Sequence, residues 1–348
     1  MTMPDTPAAS LRLRVDTDAL AANWRYLDSQ SGAAATGAAV KANAYGVGVN
    51  RAVPALLAAG ARHFFLAHWS EVPAILPYVE SSMVSVLHGV RNAEEAAFAK
   101  ETGVLPVINS VRQAALWAGS GGGPCHLMID TGINRLGVRP GDLSDPAISA
   151  LDVSIAMSHL ASADEDSAQN AKQLAAFQSA AAHVEARHLS LANSAGIMLG
   201  SNYHFDLTRP GIALYGGTAH PAMAGKIAQV AYPEAAVIQI RELSPGDSVG
   251  YNALWTADKP YRAATVSIGY ADGFLRMMGP GGALHHRGAQ LPVLGKVSMD
   301  MIVVDVSGVE VKEGDFLSVP LDLPAVSARS GLSQYELLTV LGHRFDRS

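Results

Sequence analysis

The sequence predicts an α/β protein: an N-terminal (β/α)8, TIM-like barrel over residues 12–230, then a mostly β domain over residues 231–348. Three observations predict it. Eight short apolar runs alternate with helix-like stretches through the first two-thirds of the chain. Near Val230 the texture changes, and short strands with turns replace the helical stretches. The length, 348 residues, suits about two domains at roughly 100–200 residues each.

The eight runs are 38–41 (AAVK), 62–67 (RHFFLA), 83–88 (MVSVLH), 104–109 (VLPVIN), 125–130 (CHLMID), 153–158 (VSIAMS), 188–193 (HLSLAN) and 205–209 (FDLTR). Their spacing, roughly 20–35 residues, is that of a strand, a helix and two loops. Helix start and stop signals fall between them: Asn50 to Gly60, a start at Ser70, and Asn92 to Gly103. A single short run cannot be told from a buried helix fragment, so the count carries the argument. Eight such units read as a closed barrel. Beyond Val230 come AVIQIREL, PGD, SVGY, RAATVSIGY, ALHHRGAQLPVLGKVSMDMIVVDVS and EGD, a run of strands and turns. The alternation of Leu11, Leu13 and Val15 reads as a strand that can pair with the β domain in place of the barrel, and residues 1–11 are expected to pack on that domain, although the barrel is counted from residue 12.

Composition excludes several classes. With 49% apolar and 16% charged residues, the chain can bury a large core and is not disordered. Gly 33 and Pro 18 without a period exclude a collagen-like chain. A net charge of −6 lacks the basic footprint of a nucleic-acid binder. Cys125 is the single cysteine, so no internal disulfide or cysteine-based metal site is expected, and a reducing cytoplasm suits it. The opening MTMPDTPAAS lacks the apolar core of a signal peptide. No run of about eighteen apolar residues is present to span a membrane.

Barrel chemistry sits at the C-terminal ends of the strands, which here offer Lys41, Arg135, His159, Ser194 and Arg209. A lysine ending an apolar strand is unusual, because burying an ammonium is costly unless it is paired or used. With a lowered pKa it becomes the partner of a carbonyl cofactor, as a Schiff base; the bland alternative is a snorkelling side chain. Arg209-Pro210-Gly211-Ile212 reads as a turn into a short helix, whose free N–H groups suit a phosphate, or as an ordinary turn. His159 alone is more often structural, Ser194 is equally a helix cap, and Arg135 could be a surface arginine. Tyr251 and Tyr270 each follow a glycine, which lets the backbone approach a neighbour closely; the alternative is a half-buried strand tyrosine.

Taken in order, KANAYGVG, DTGINRLGV, HLASADE, NSAG, RPGIALYG, VGYNALW, IGYADG and KVSMD run along nearly the whole chain. This set is similar to the alanine racemases, pyridoxal 5′-phosphate enzymes built as a barrel plus a β domain. The resemblance implies that Lys41 holds the cofactor and acts as one base. It implies that Tyr251, from the partner subunit of a homodimer, is the opposite base. Arg209 would face the pyridine nitrogen, and His159 would link Arg209 to Tyr251. Tyr45, Ser194, Gly211, Ile212 and Tyr335 would hold the phosphate. Arg135 would orient the cofactor's phenolic oxygen and the substrate carboxylate. Tyr270, Met299 and Asp300 would bound the substrate side. The implied reaction is the interconversion of L- and D-alanine, for peptidoglycan supply or alanine catabolism. Two positions depart from the pattern: Val47 stands where many relatives have histidine, and Met128 where many carry a carbamylated lysine. Arg135 then needs another support, with Asn134 or a bound anion as candidates. The alternatives are a broader amino-acid racemase or a decarboxylase on the same scaffold, a non-catalytic pyridoxal-phosphate binder, and an unrelated barrel enzyme.

Overall fold

Parallel strands are covered on both faces, so they read as continuous apolar runs; the first two-thirds of this chain is built that way. The computed structural model describes residues 7–347. The chain divides into two units, one spanning Thr17–Ala228 and one joining the segment through Asp16 to the chain from Gln229 onward.

In chain order, β1 (Leu11–Val15) precedes α1 (Thr17–Ser31), which opens the barrel unit. The barrel strands are β2 (Ala35–Thr36), β3 (Ala38–Ala39), β4 (Phe64–Leu66), β5 (Val84–Val86), β6 (Leu105–Ile108), β7 (Pro124–Met128), β8 (Asp152–Met157), β9 (Ala186–Ser190) and β10 (Leu207–Thr208). Strands β3 to β9 form one parallel sheet in sequence order, and β10 pairs in parallel with β2. On its other edge the β10 segment donates Arg209 N–H to the Ala192 carbonyl at 2.8 Å. Strands β2 and β3 are one strand interrupted at Gly37. A Cβ there would lie 2.9 Å from the Phe65 ring and 3.0 Å from the His63 carbonyl oxygen. Counted so, the ring has eight parallel strands, and each of the eight apolar runs supplies one.

The barrel helices follow their signals. In α2 (Val49–Ala59) the chain stops at Gly60. Helix α3 (Ala93–Thr102) is capped by the Asn92 side chain, which accepts from Glu95 N–H, and ends on Gly103 at φ 74°. Helix α4 (Val111–Gly119) is capped by Ser110, and α5 (Ala168–Ala181) by Ser167. The start expected at Ser70 yields only a 3₁₀ turn, Trp69–Glu71, and the four-residue helix Val72–Ile75.

The second unit is antiparallel except where β1 pairs in parallel with the last strand, Asp346–Arg347. It comprises β11 (Ala231–Leu243), β12 (Ser248–Val249), β13 (Trp255–Thr256), β14 (Tyr261–Val266), β15 (Ala283–His286), β16 (Ala289–Leu294), β17 (Ile302–Asp305), β18 (Phe316–Ser318) and β19 (Asp346–Arg347). The order β14-β17-β16-β15-β18-β11 returns on itself because β11 also pairs with β14. The long β11 does this by changing partners along its length. Its first half pairs with β1 and β18, and after an irregularity between Val237 and Gln239 its second half pairs with β14. Irregularities of this kind bend a strand and close a sheet.

Two expectations need correction. Residues 12–16 belong with the β unit and not with the barrel: β1 lies antiparallel to β11, Leu11 opposite Ala235 and Val15 opposite Ala231, with Leu11, Leu13 and Val15 buried. Of the residues 1–11 expected there, 1–6 lie outside those described. The β unit also keeps two helices, α6 (Leu323–Ser330) and α7 (Gln334–Thr339), capped by Asp322 and Ser333.

Candidate active site

The strand ends of the barrel unit carry the chemistry. Lys41 follows β3 and is partly buried. The backbone after it is unusual: Ala42, Asn43, Ala44 and Tyr45 all have φ between 52° and 54°. This is a left-handed turn with no glycine in it, at about 1 kcal/mol or more of strain per residue. Hydrogen bonds hold it. Ala44 N–H donates to the Val40 carbonyl at 2.9 Å, Gly48 N–H to the Asn43 carbonyl at 3.0 Å, and Val49 N–H to Asn43 Oδ1 at 2.9 Å. Ala42 N–H donates to the Glu71 carboxylate. Strain kept at one spot by many contacts is a mark of a working site. The Lys41 amine is pulled below its ordinary pKa by burial first and by the Arg135 guanidinium second, against the Glu71 carboxylate.

Opposite β3 on the ladder lies the Arg209 turn, with Ala39 N–H donating to the Pro210 carbonyl at 2.9 Å. The Tyr45 ring stacks on Tyr215 at 4.7 Å, and the buried Tyr215 hydroxyl donates to the Ala39 carbonyl at 2.9 Å. The Tyr45 hydroxyl then closes on Gly211, where a Cβ would lie only 2.3 Å from it. Ser194 does not cap the helix after it. Its Oγ accepts from Gly211 N–H at 2.8 Å and Ala213 N–H at 3.4 Å. The 3₁₀ turn Ile212–Tyr215 begins at Gly211 with no side-chain cap. Two hydroxyls and the first amides of a turn thus meet at one point, the donor set that cradles a phosphate.

Arg209 is buried. It donates to Ser190 Oγ and to the carbonyls of Ser158 and Leu191. Burial lowers its pKa to about 10, so it stays cationic near neutrality. His159 is pushed to about 3 by burial first, then by Arg209, Arg135 and Lys41, and is neutral. The carbonyl that Arg209 reaches on this loop is that of Ser158, the residue before His159.

Arg135 is exposed on a loop organised by Asp130, whose Oδ1 accepts from Gly132 N–H at 2.9 Å and Asn134 N–H at 3.1 Å. Asn134 takes the left-handed conformation, φ 52°. Its backbone N–H is one of the two that Asp130 holds. Met128 is buried under this loop. A further support escaped sequence reading. Gln173 of α5 is fully buried, donates to the His159 carbonyl at 2.9 Å and Thr131 Oγ1 at 3.4 Å, and accepts from Ala161 N–H at 2.8 Å. One amide therefore ties the Arg135 loop to the His159 loop. The available signal was an amide on the buried face of α5, four residues before Phe177. Glu71 and Tyr215 were missed as well.

In the β unit, Tyr251 and Tyr270 each open a 3₁₀ turn and are not strand residues. Gly269 earns its place by contact: a Cβ there would lie 2.3 Å from the Met299 carbonyl oxygen. Tyr270 N–H donates to the Ser298 carbonyl at 3.1 Å and Ala271 N–H to the Met299 carbonyl at 3.0 Å, which joins Tyr270 to Met299. Arg344 bridges Asp300 (2.8 Å) to the buried Asp272 (2.6 Å). The Tyr251 side chain is 68% exposed, and Leu254, Met277, Met299 and Met301 are exposed too. Tyr335 stands half-exposed at the start of α7. No cluster of three or more metal-ligating side chains occurs among the described residues.

Residues 15–219 match the family described as alanine racemase, N-terminal domain, and residues 230–348 match alanine racemase, C-terminal domain. The chain is 40% identical to the alanine racemase of Rhizobium meliloti, covering 100% of this chain and 99% of that protein. It is 41% identical to the biosynthetic alanine racemase of Agrobacterium fabrum, covering 97% of this chain and 93% of that one. The crystal structure of alanine racemase from Bartonella henselae with covalently bound pyridoxal phosphate superposes with a TM-score of 0.90 at 35% identity, covering 98% of this chain and 99% of that one. The biosynthetic alanine racemase of Pseudomonas aeruginosa gives a TM-score of 0.87 at 32% identity, over 98% and 99% of the two chains.

Proposed function

The chain belongs to the alanine racemase family, and from that premise we infer how its residues divide the work. It interconverts L-alanine and D-alanine, and its cofactor is pyridoxal 5′-phosphate. Bound, the cofactor supplies an electron sink for the charge left when the Cα proton is removed.

The residues present fit such a group. Gly211 leaves the space beside the Tyr45 hydroxyl that a side chain would fill, and Tyr45, Ser194 and the Gly211 and Ile212 amides would hold the phosphate. Lys41 would bind the aldehyde covalently, since an amine drawn toward neutrality is the better nucleophile. Arg209, cationic below about pH 10, would donate to the pyridine nitrogen and keep it from being protonated. Arg135, exposed on its loop, would take the substrate carboxylate. Tyr335 would be the fifth phosphate contact.

Racemisation removes a proton from one face of Cα and returns it to the other, so two proton carriers must flank one carbon. Lys41 would be one of them. Tyr251 would be the other, supplied by the partner subunit of a homodimer. Tyr251, Leu254, Met277, Met299 and Met301, all large, all exposed and all in the β unit, support this. Tyr270 and Met299, held together by the Gly269 turn, would crowd the substrate side and favour a methyl group. Discrimination by size alone is modest, about 10–200-fold per methylene. A free, buried Cys125 needs no oxidising compartment, and the cytoplasm is the proposed location.

The observation that carries the reading is the Lys41 amine, lowered in pKa, just past the end of the strand whose Ala39 N–H bonds the Pro210 carbonyl beside the Tyr45–Ser194–Gly211 cradle. Cofactor-loaded protein incubated with L-alanine in D2O should exchange the α-proton and lose optical activity. Exchange with full retention would leave one working base and remove Tyr251 from the mechanism.

A further inference from the structure

We propose that Glu71 is a positioning residue for Lys41: its carboxylate ties the left-handed turn after Lys41 to the loop after β4 and so aims the lysine amine. The proposal rests on the reading that Lys41 holds the cofactor.

Glu71 closes the capping box of the 3₁₀ turn Trp69–Glu71, where one oxygen, Oε2, accepts from His68 N–H at 2.9 Å and Ala67 N–H at 2.8 Å. A capping box asks no more of its acid than the return bond to the cap residue's N–H. The other oxygen, Oε1, accepts from Ala42 N–H, 29 residues earlier in the chain. Ala42 is the residue next to Lys41 and the first of the four left-handed residues. One carboxylate therefore receives three backbone N–H groups from two loops, and charge-assisted bonds of this kind are short and strong. The turn has no glycine to relax its backbone, so its shape depends on such bonds.

Glu71 also acts through charge. The groups that face Lys41 are Arg135 and Glu71, with His88 and His159 beside them, and Glu71 is the acid among these. Geometry and charge can be separated. Glu71→Asp keeps the charge but shortens the reach by a methylene. Glu71→Gln keeps the length, removes the charge and turns an NH2 toward backbone N–H groups.

The test begins with the wild type. The cofactor-loaded protein is reduced with borohydride, and the labelled peptide is identified by mass. Both variants are then freed of cofactor and checked by circular dichroism. Their affinity for pyridoxal phosphate is measured, along with the pH midpoint of Lys41 acylation by trace acetic anhydride. Both variants should bind the cofactor about tenfold or more weakly, the loss of a hydrogen bond to a charged group. The Lys41 midpoint should fall in Glu71→Gln, where a stabilising negative charge is lost, and hold in Glu71→Asp. A merely structural glutamate would not move that midpoint in one variant and spare it in the other. Glu71→Asp, the smaller change, carries the binding test if Glu71→Gln does not fold. A wild-type label on Lys41 with both affinities within twofold of wild type overturns the proposal alone. A wild type without label on Lys41 overturns the functional reading and the proposal with it.

Discussion

Two basic side chains in one strand-end cluster, Arg209 and His159, are split by burial into different charge states. Arg209 falls only to about 10 and stays cationic; His159 falls to about 3 and stays neutral. The same burial acts deeper in the barrel on His126, which is 2% exposed and shares a 3.0 Å hydrogen bond with Ser85 Oγ. Burial, and then the nearby His63, hold its pKa at about 3 against an ordinary value of 6.5. The sign of the pH effect follows. Between pH 6.5 and about 3 the unfolded chain binds a proton at His126 that the folded chain refuses. Stability is therefore complete above 6.5 and is lost as pH falls through that window, at about 1.4 kcal/mol per pH unit. Urea unfolding at pH 7 and pH 5 should show His126→Asn losing about 2 kcal/mol less than wild type between the two. Equal losses would mean that His126 is protonated in the folded protein. Lys41 was legible at this scale because a cation ending an apolar strand is a conflict that needs a reason. Glu71 was not, because glutamate three residues into a turn already has an ordinary reason, the capping box. His126 was hidden by the run CHLMID, which reads as plain strand whichever way the imidazole points.

Elements were legible where period and punctuation agree, as in α3 between Asn92 and Gly103. They were not legible where tertiary contact decides. Residues 42–45 contain two alanines, the best right-handed helix formers on their own, yet lie left-handed under the pull of Glu71, Val49 and Gly48. The alternating β1 has the pattern of any strand, and only its partner, β11, assigns it to a unit. Helices α6 and α7 were lost because each is short, eight and six residues. The turn after β10 allows a direct test of an element's fit. Gly211 has φ −130° and ψ −90°, and the nearest atom that a Cβ there would meet is the Tyr45 hydroxyl at 2.3 Å. Gly211→Ala should weaken pyridoxal-phosphate binding about tenfold or more, as overpacking of a tight site does at about 1–3 kcal/mol. Adding Tyr45→Phe to Gly211→Ala should recover part of that loss by removing the struck atom. A double variant weaker than Gly211→Ala would show that the hydroxyl's bond to the ligand outweighs the clash.

At the scale of the whole molecule, the two proposed proton carriers lie in different units of the chain, Lys41 in the barrel unit and Tyr251 in the β unit. An exposed tyrosine on a glycine-led turn, with apolar neighbours also exposed, has little to do within its own unit. Its role becomes intelligible if a two-fold dimer, the commonest oligomer, lends each barrel the tyrosine of the other chain. Complementation tests this without any structural assumption. Lys41→Ala and Tyr251→Phe should each be nearly inactive alone, since each removes a proton carrier from every site. In a mixed dimer of the two variants, one site combines both lesions. The other joins an intact Lys41 with the intact Tyr251 of the partner subunit. Random pairing makes half of all dimers mixed, with one good site of two in each. Co-expressed variants should therefore recover about a quarter of wild-type activity. If each chain used its own tyrosine, no pairing would rebuild a site, and the mixture would stay as inactive as its parts.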